Sequence, residues 1–386
     1  MAKFYPHIPL LDHFSDLPDP RYAPKVTYSF DELLLVLLCG TFAGEEDFVD
    51  IAVWASYNLD YLRRLRPFEH GTPSHDTLNS FANSLDAEAF EHCFRAWVAS
   101  LGQKLGAGPE QCEQIAIDGK TLRGTTKSVN KVSGLHLVSA WACKARLSLG
   151  CQAIDRTQEN EIIGVHRLLD WLQLDGALVS LDAMGCQRAI ADKIVTKGGD
   201  YLLALKGNQG GLYEDVKLWF DEQCQAQEPQ FSETCGDHGR IEERRLWLCQ
   251  HIEWLQERHN WPRLAAFGCI EKRLEYKNRP DKPASVSKRY FLVSKVMTPK
   301  AFADAVRTHW AIENNQHWVL DVSFGEDAQQ LKDWNGAQIM SAIRKITMAL
   351  LKPIKGKMSY KTARKTVSWS FGQLERVLKQ KQLAQL

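Results

Sequence analysis

Three acidic residues stand in settings that ask for a chemical explanation. Asp118 in IAIDGKTLRG and Asp182 in ALVSLDAMGCQ each close an apolar run of strand-forming residues, Ile115, Ala116 and Ile117 in one case and Leu178, Val179 and Leu181 in the other. A carboxylate there needs a partner or a metal, because an unpaired charge is costly to bury. Glu313 lies far downstream, in HWAIENNQHW. Three such acids can hold a pair of Mg²⁺ ions, with Mn²⁺ as a substitute, since Mg²⁺ is a hard cation that takes carboxylates and waters. Two divalent ions about 4 Å apart activate a water or a 3′-hydroxyl and stabilise the leaving oxygen of an in-line displacement at phosphorus. An aspartate at a strand end can also simply begin the next turn. Two of them, each followed by glycine within three residues and by a basic or amide side chain, weigh against that reading.

The elements around these acids follow from periodicity. From about residue 114, three strand-like runs, IAIDGKT, LHLVSAWAC and LSLGCQAI, succeed one another through short turns, as in an antiparallel meander. The helix ENEIIGVHRLLDWLQ, the strand ALVSLDA, the helix QRAIADKIVTK and the strand YLLALKG follow. That order predicts an α/β fold: a ribonuclease-H-like mixed sheet flanked by helices, in which crossovers make the later strands parallel to the first. Asp118 and Asp182 then become neighbours although 182 − 118 = 64 residues separate them. After the helix GLYEDVKLWFDEQ, the stretch from about 228 to 297 reads as a β-rich insertion forming its own sheet.

Thr298 and Pro299 start a helix that runs through Leu320. Steps of three or four place Phe302, Val306, His309, Glu313, His317 and Leu320 on one stripe, so the expectation is a buried stripe with a carboxylate between two imidazoles at its centre. The same three polar residues could instead ligate a transition metal in an unrelated hydrolase. Lys120 and Arg123, and Lys206 with Asn208 and Gln209, follow the strand ends closely enough to neutralise or hydrogen-bond a phosphate backbone. Taken singly, each reads first as an ordinary surface residue.

Upstream, residues from about 29 to 105 show helical spacing, with a capped helix start near Ser74 and Asp76 that suits either a DNA-binding helical domain or a plain bundle. Of the 386 residues, 44% are hydrophobic and 25% charged, which excludes a disordered chain. Net charge is only +1, so any role on nucleic acid must rest on local clusters: Arg63, Arg64 and Arg66; Lys120, Arg123, Lys127 and Lys131; and Arg344 through Lys365. Ten scattered cysteines without a C-x-x-C pair point to reduced thiols in a cytoplasm, and no membrane segment is expected.

The segments IAIDGKTLRG, SLDAMGCQ, GGDYLLALKGNQG, DHGRIEERR and RTHWAIENNQHWVLDVSFGEDA, with LPDPRY and PSHDTL near the start, resemble the transposases of H-repeat-associated insertion sequences. These are a bacterial branch of the DDE transposases with a retroviral-integrase-like catalytic core, and the likeness spans nearly the whole chain. It implies an associated helical domain over 1–110, a catalytic domain over 111–350 with its insertion at about 228–297, and a basic C-terminal tail and helix over 351–386. It further implies Mg²⁺-dependent cutting at the inverted repeats of an element and strand transfer into double-stranded target DNA, with Asp118, Asp182 and Glu313 as metal-binding acids. His238 and Arg240 would lie near DNA, and a homodimer would hold two ends on the nucleoid. Related enzymes flank the glutamate with Tyr, Arg and Lys where this chain has Val306, His309 and Leu320. Phosphate contacts then fall to Arg307, His309, Asn314 or His317. A catalytically silent, domesticated DNA-binding protein is the competing reading; it expects salt-sensitive binding without nicking.

Overall fold

Ser29 opens the first long helix with a reciprocal cap. Its hydroxyl accepts from the Glu32 amide at 3.2 Å while Glu32 Oε2 accepts from the Ser29 amide at 2.9 Å. The computed structural model describes residues 5–102, 113–126, 134–237, 239–277 and 283–379. Its N-terminal part is helical: α1 Pro9–Asp12, α2 Phe30–Ala43, α3 Phe48–Tyr57, α4 Leu59–Leu62, α5 His75–Ser84 and α6 Ala87–Gly102. From Glu32 to Ala43 every residue of α2 is buried, which marks it as a central helix enclosed on all sides. Gly44, with φ +110°, ends it in a conformation that side chains resist.

The meander follows as β1 Gln114–Thr121, β2 His136–Ala142 and β3 Leu147–Ile154, then α7 Glu161–Trp171, β4 Leu178–Leu181, α8 Arg188–Thr196 and β5 Asp200–Leu205. β1 pairs antiparallel with β2 and parallel with β4, and β4 pairs parallel with β5, giving the order β3-β2-β1-β4-β5 of a ribonuclease-H-like core. Ile115, Ala116 and Ile117 on β1 are buried because helices cover both faces.

After α9 Gly210–Ala226 come β6 Phe231–Asp237, β7 Arg240–Cys249, α10 Glu253–His259, β8 Ala266–Tyr276 and β9 Ser285–Val293. These strands do not form the separate sheet expected of an insertion. β9 pairs antiparallel with β5, Leu203 opposite Leu292 and Leu205 opposite Tyr290, and the ladder continues to β6. One nine-stranded sheet results. The physical reason is the free edge of β5, whose unpaired amides and carbonyls are satisfied by the returning strand.

The chain closes with α11 Pro299–His309, a π-helical turn Glu313–His317, α12 Trp318–Phe324, α13 Trp334–Lys355, α14 Tyr360–Ser368 and α15 Phe371–Leu378. α13 packs on α2, α5 and α6. A single apolar core joins Phe42, Phe81 and Phe90 of the N-terminal helices to Ile343, Ile346 and Leu350 of α13, and to Trp141 and Leu147 beneath the sheet. The helix behind Ser74 is thus part of a bundle, α5 lying against α3 and α13.

Much of the expected C-terminal basic cluster is internal. Arg344, Lys345 and Arg364 are buried. Arg364 donates to the carbonyls of Thr41 at 2.9 Å in the last turn of α2, of Glu45 at 3.2 Å just beyond it, and of Ser323 in the last turn of α12, where cations are favoured. Arg344 donates to Gln329 Oε1 at 2.6 Å and to the Glu46 carbonyl at 3.2 Å. These cations brace the helical layer rather than face solvent. Lys127 and Lys131 lie outside the described residues. Among the described residues, no helix is long and apolar enough to cross a membrane.

Candidate active site

Parallel strands β1, β4 and β5 end at one edge of the sheet, where Asp118 and Asp182 stand on neighbouring strands. Asp118 sits in the second half of β1 and Asp182 directly after β4. With Glu313 they line one cleft of about 340 Å³, whose walls also include Ser180, Lys206 and His309. Asp182 Oδ1 accepts from the amides of Met184 at 2.9 Å and Gly185 at 3.3 Å, so the carboxylate also shapes its own loop. Enclosure by the cleft walls pushes the Asp182 carboxyl above its ordinary range, and the charges of Glu161 and Asp118 add to the effect. A cation bound there would reverse that penalty.

The glutamate departs from the expected stripe. The helix does not run uniformly through it: the Trp318 amide bonds the Glu313 carbonyl, five residues back, and makes a π turn. This inserts an extra residue into the helical register, a feature often found at functional sites. Consequently Glu313 is exposed to the cleft, while Gln316 and His317 turn inward. His317 Nδ1 lies 3.4 Å from Asp118 Oδ2. His309 instead meets Ser180 Oγ through Nδ1 at 3.0 Å. Ser180 Oγ also receives a hydrogen bond from Gln114 Nε2 at 3.0 Å, so the imidazole is anchored to β4. Burial holds the His309 ring below its ordinary value, against the pull of Asp118 and Asp182. The pair of imidazoles and Glu313 therefore do not converge as a transition-metal set. Among the described residues no three His, Cys, Asp or Glu side chains are gathered tightly enough to cage a metal by themselves. An open set of carboxylate oxygens suits Mg²⁺, which keeps several waters and binds through one or two carboxylates plus phosphate oxygens.

The expected phosphate contacts divide into two groups. Lys206 lines the cleft, and Asn314 lines the adjoining groove. Arg123 is largely exposed, its Nε 3.3 Å from Asp327 Oδ2. Lys120, expected as a solvent-facing cation, is instead largely buried between carboxylates. It donates to Asp321 Oδ1 and, at 2.9 Å, to Glu326 Oε2, and Glu326 accepts from Ser341 Oγ at 2.8 Å. Asn208 donates to the Ala183 carbonyl at 2.7 Å and Gln209 to the Cys186 carbonyl at 2.7 Å, which fixes the loop behind Asp182. Arg240 stands over Tyr276 at the tip of the extension, six residues along β7 from Leu246 and so about 20 Å from the level of the cleft. His238 lies outside the described residues.

A further pair escapes the sequence reading. Successive strand residues face opposite sides, so Gly119 points away from Asp118, toward His136 and Glu161. His136 Nε2 lies 3.0 Å from Glu161 Oε2 and its Nδ1 2.8 Å from Thr121 Oγ1. Any Cβ on Gly119 would stand 2.6 Å from Glu161 Cδ and 2.6 Å from His136 Nε2. Gly119→Ala is therefore expected to lower stability by about 1–3 kcal/mol, as overpacking does, read as a lower urea midpoint with unchanged slope.

Residues 111–351 match the family model described as "Transposase DDE domain", and residues 11–98 match the one described as "DDE_Tnp_1-associated". The chain is 35% identical over 380 residues to "Putative transposase YncI" of Escherichia coli O157:H7, covering 96% of this chain and 94% of that one. It is 32% identical over 349 residues to "H repeat-associated putative transposase YhhI" of Escherichia coli K12, covering 89% and 90%. The piggyBac transposase in its synaptic complex with hairpin DNA, solved by cryo-EM, superposes with a TM-score of 0.44 at 12% identity, over 94% of this chain and 76% of that one.

Proposed function

Because this chain belongs to the family of DDE transposases, we propose that Asp118, Asp182 and Glu313 are the acids through which it cuts and rejoins DNA. The observation that carries this reading is their meeting in one cleft from three segments far apart in sequence. Two Mg²⁺ ions, or Mn²⁺ in their place, would supply Lewis acidity at the attacking and leaving oxygens of the phosphodiester. The protein's own part is to hold the acids and aim the substrate. Asp118 is fixed by the β1 ladder and Asp182 by its loop, which Asn208 and Gln209 tie down. Glu313 is presented by the π turn, and His309, anchored on Ser180, forms part of the same cleft wall. Lys206, at the end of β5, places positive charge on the same cleft for the phosphate backbone.

The substrates proposed are the inverted-repeat ends of an insertion sequence and a double-stranded target, bound by a homodimer in the bacterial cytoplasm. In that scheme residues to 110 form the associated unit, 111–350 the catalytic unit with its extension at about 228–297, and 351–386 a C-terminal unit.

The test uses supercoiled plasmid carrying the DNA that flanks the coding region. Wild-type protein should nick it with Mg²⁺ or Mn²⁺ and not with EDTA. Glu313→Gln should reduce nicking to the EDTA level while shifting stability by less than about 0.5 kcal/mol, since the side chain is exposed. Salt-sensitive binding without metal-dependent nicking by the wild type would favour a silent DNA-binding role instead.

A further inference from the structure

A second cavity, of about 490 Å³, adjoins the acid cleft and shares with it Arg289, Phe291, Val306 and Trp310. It runs between α11 and the extension strands. Five cations line it, and four are paired with carboxylates. Arg244 pairs with Glu242 and lies 3.7 Å from Glu233, and Arg307 pairs with Glu233. Arg245 meets Glu243 at 2.9 Å and Lys272 meets Glu242 at 2.6 Å. Arg289 is the exception: among the described residues it has no carboxylate within ion-pair distance. Its guanidinium carbon lies 5.1 Å from the ring centroid of Trp310, a tryptophan 41% exposed at the cleft mouth.

Strand register puts this arginine at the same sheet edge as the acids. Tyr290 pairs with Leu205, so Arg289 and Lys206 continue side by side beyond that pair. An unpaired guanidinium braced on an aromatic face has its fork of donors preset for a phosphate, and little side-chain freedom left to lose on binding it.

We propose that Arg289, braced on Trp310, binds a backbone phosphate of the DNA strand next to the bond being cut, and that the groove between α11 and β6–β9 carries that strand away from the acids. The inference rests on the cleft being the cutting site, but its test does not require cutting. Affinity for a mixed-sequence duplex with a single-stranded tail is measured against salt concentration, without divalent ions. Losing one phosphate contact should reduce the slope of log K against log salt by about 0.9 on duplex or 0.7 on single strand. Arg289→Ala should show that reduction, and Arg289→Lys, which keeps the charge, should not. Both variants should melt as the wild type does, because the side chain is exposed and unpaired. An Arg289→Ala slope equal to wild type, or no binding of this probe by wild-type protein, overturns the proposal. A reduced slope in a protein that never nicks plasmid keeps Arg289 as a phosphate contact and removes the catalytic reading, and with it the placement beside a cut bond; nicking with an unchanged slope removes the Arg289 contact and keeps the catalytic reading.

Discussion

Asp182→Asn protein is expected to bind DNA like wild type and to cut it at least about 10³-fold more slowly. That factor corresponds to about 4 kcal/mol of lost transition-state stabilisation, at 1.36 kcal/mol per tenfold. The substitution keeps an oxygen that can accept from the Met184 and Gly185 amides, so the loop geometry should survive. It removes a charge that the cleft disfavours: the Asp182 carboxyl is pushed up by enclosure, then by Glu161 and Asp118. A carboxyl whose pKa rises on folding makes its ionised form a cost above that pKa. The metal-free variant should therefore be as stable as wild type at neutral pH, or slightly more so. Mg²⁺ should raise the melting temperature of wild type and not of the variant, because only a cation held by the folded state stabilises it. Single-turnover cutting and thermal melts decide the matter. Equal cutting by the variant would remove Asp182 from the chemistry, and a large drop in its melting temperature would make it a structural residue.

Lys120→Ala should have the largest effect on stability, about 3–5 kcal/mol. Glu326 is 1% exposed and faces Lys120, so truncating the lysine strips a buried carboxylate of its nearest cation. Burial alone would push the Glu326 carboxyl up. Lys120, Lys345 and Arg344 outweigh it and bring the group down to about 2. The sign of the pH dependence follows. With an unfolded value near 4.5 and a folded value near 2, this stabilisation is complete above about pH 4.5 and is lost as pH falls through about 2. Asp321, less enclosed, moves the other way, since its burial outweighs the same lysine. Urea unfolding of both proteins between pH 2 and 7 checks the prediction: the gap between them should close at the acid end. A loss under about 1 kcal/mol at pH 7 would mean that Lys120 is not the partner holding Glu326.

Local signals carried the core of the fold. Apolar runs broken by turns, followed by alternating helix and strand, were enough to place β1–β5 and to bring Asp118 beside Asp182, because each strand is buried and its pattern is strong. Glu313 was legible as a residue but not in its setting. The stripe from Phe302 to Leu320 assumed 3.6 residues per turn, and a π turn inside ENNQH changes the register with no propensity signal to announce it. Charge was the least legible property. Arg344 and Lys345 looked like part of a basic surface, yet they sit between Ile343 and Ile346 in a helix buried from Ile339 to Leu351, and that unbroken apolar context was the available clue. The partners of Lys120 lie more than 200 positions away, beyond the reach of any local pattern.

Continuity of the nine-stranded sheet has a metric consequence. Asp182 follows β4 and Arg289 belongs to β9, with only β5 between them. Two interstrand spacings make about 10 Å across the sheet and the register adds two residues, about 7 Å, along it, so the two backbone positions stand about 12 Å apart, held by backbone hydrogen bonds. The protein thus carries a caliper between the backbone that bears Asp182 and the backbone that bears Arg289, and insertions in the surface loops of the extension would leave that gauge unchanged.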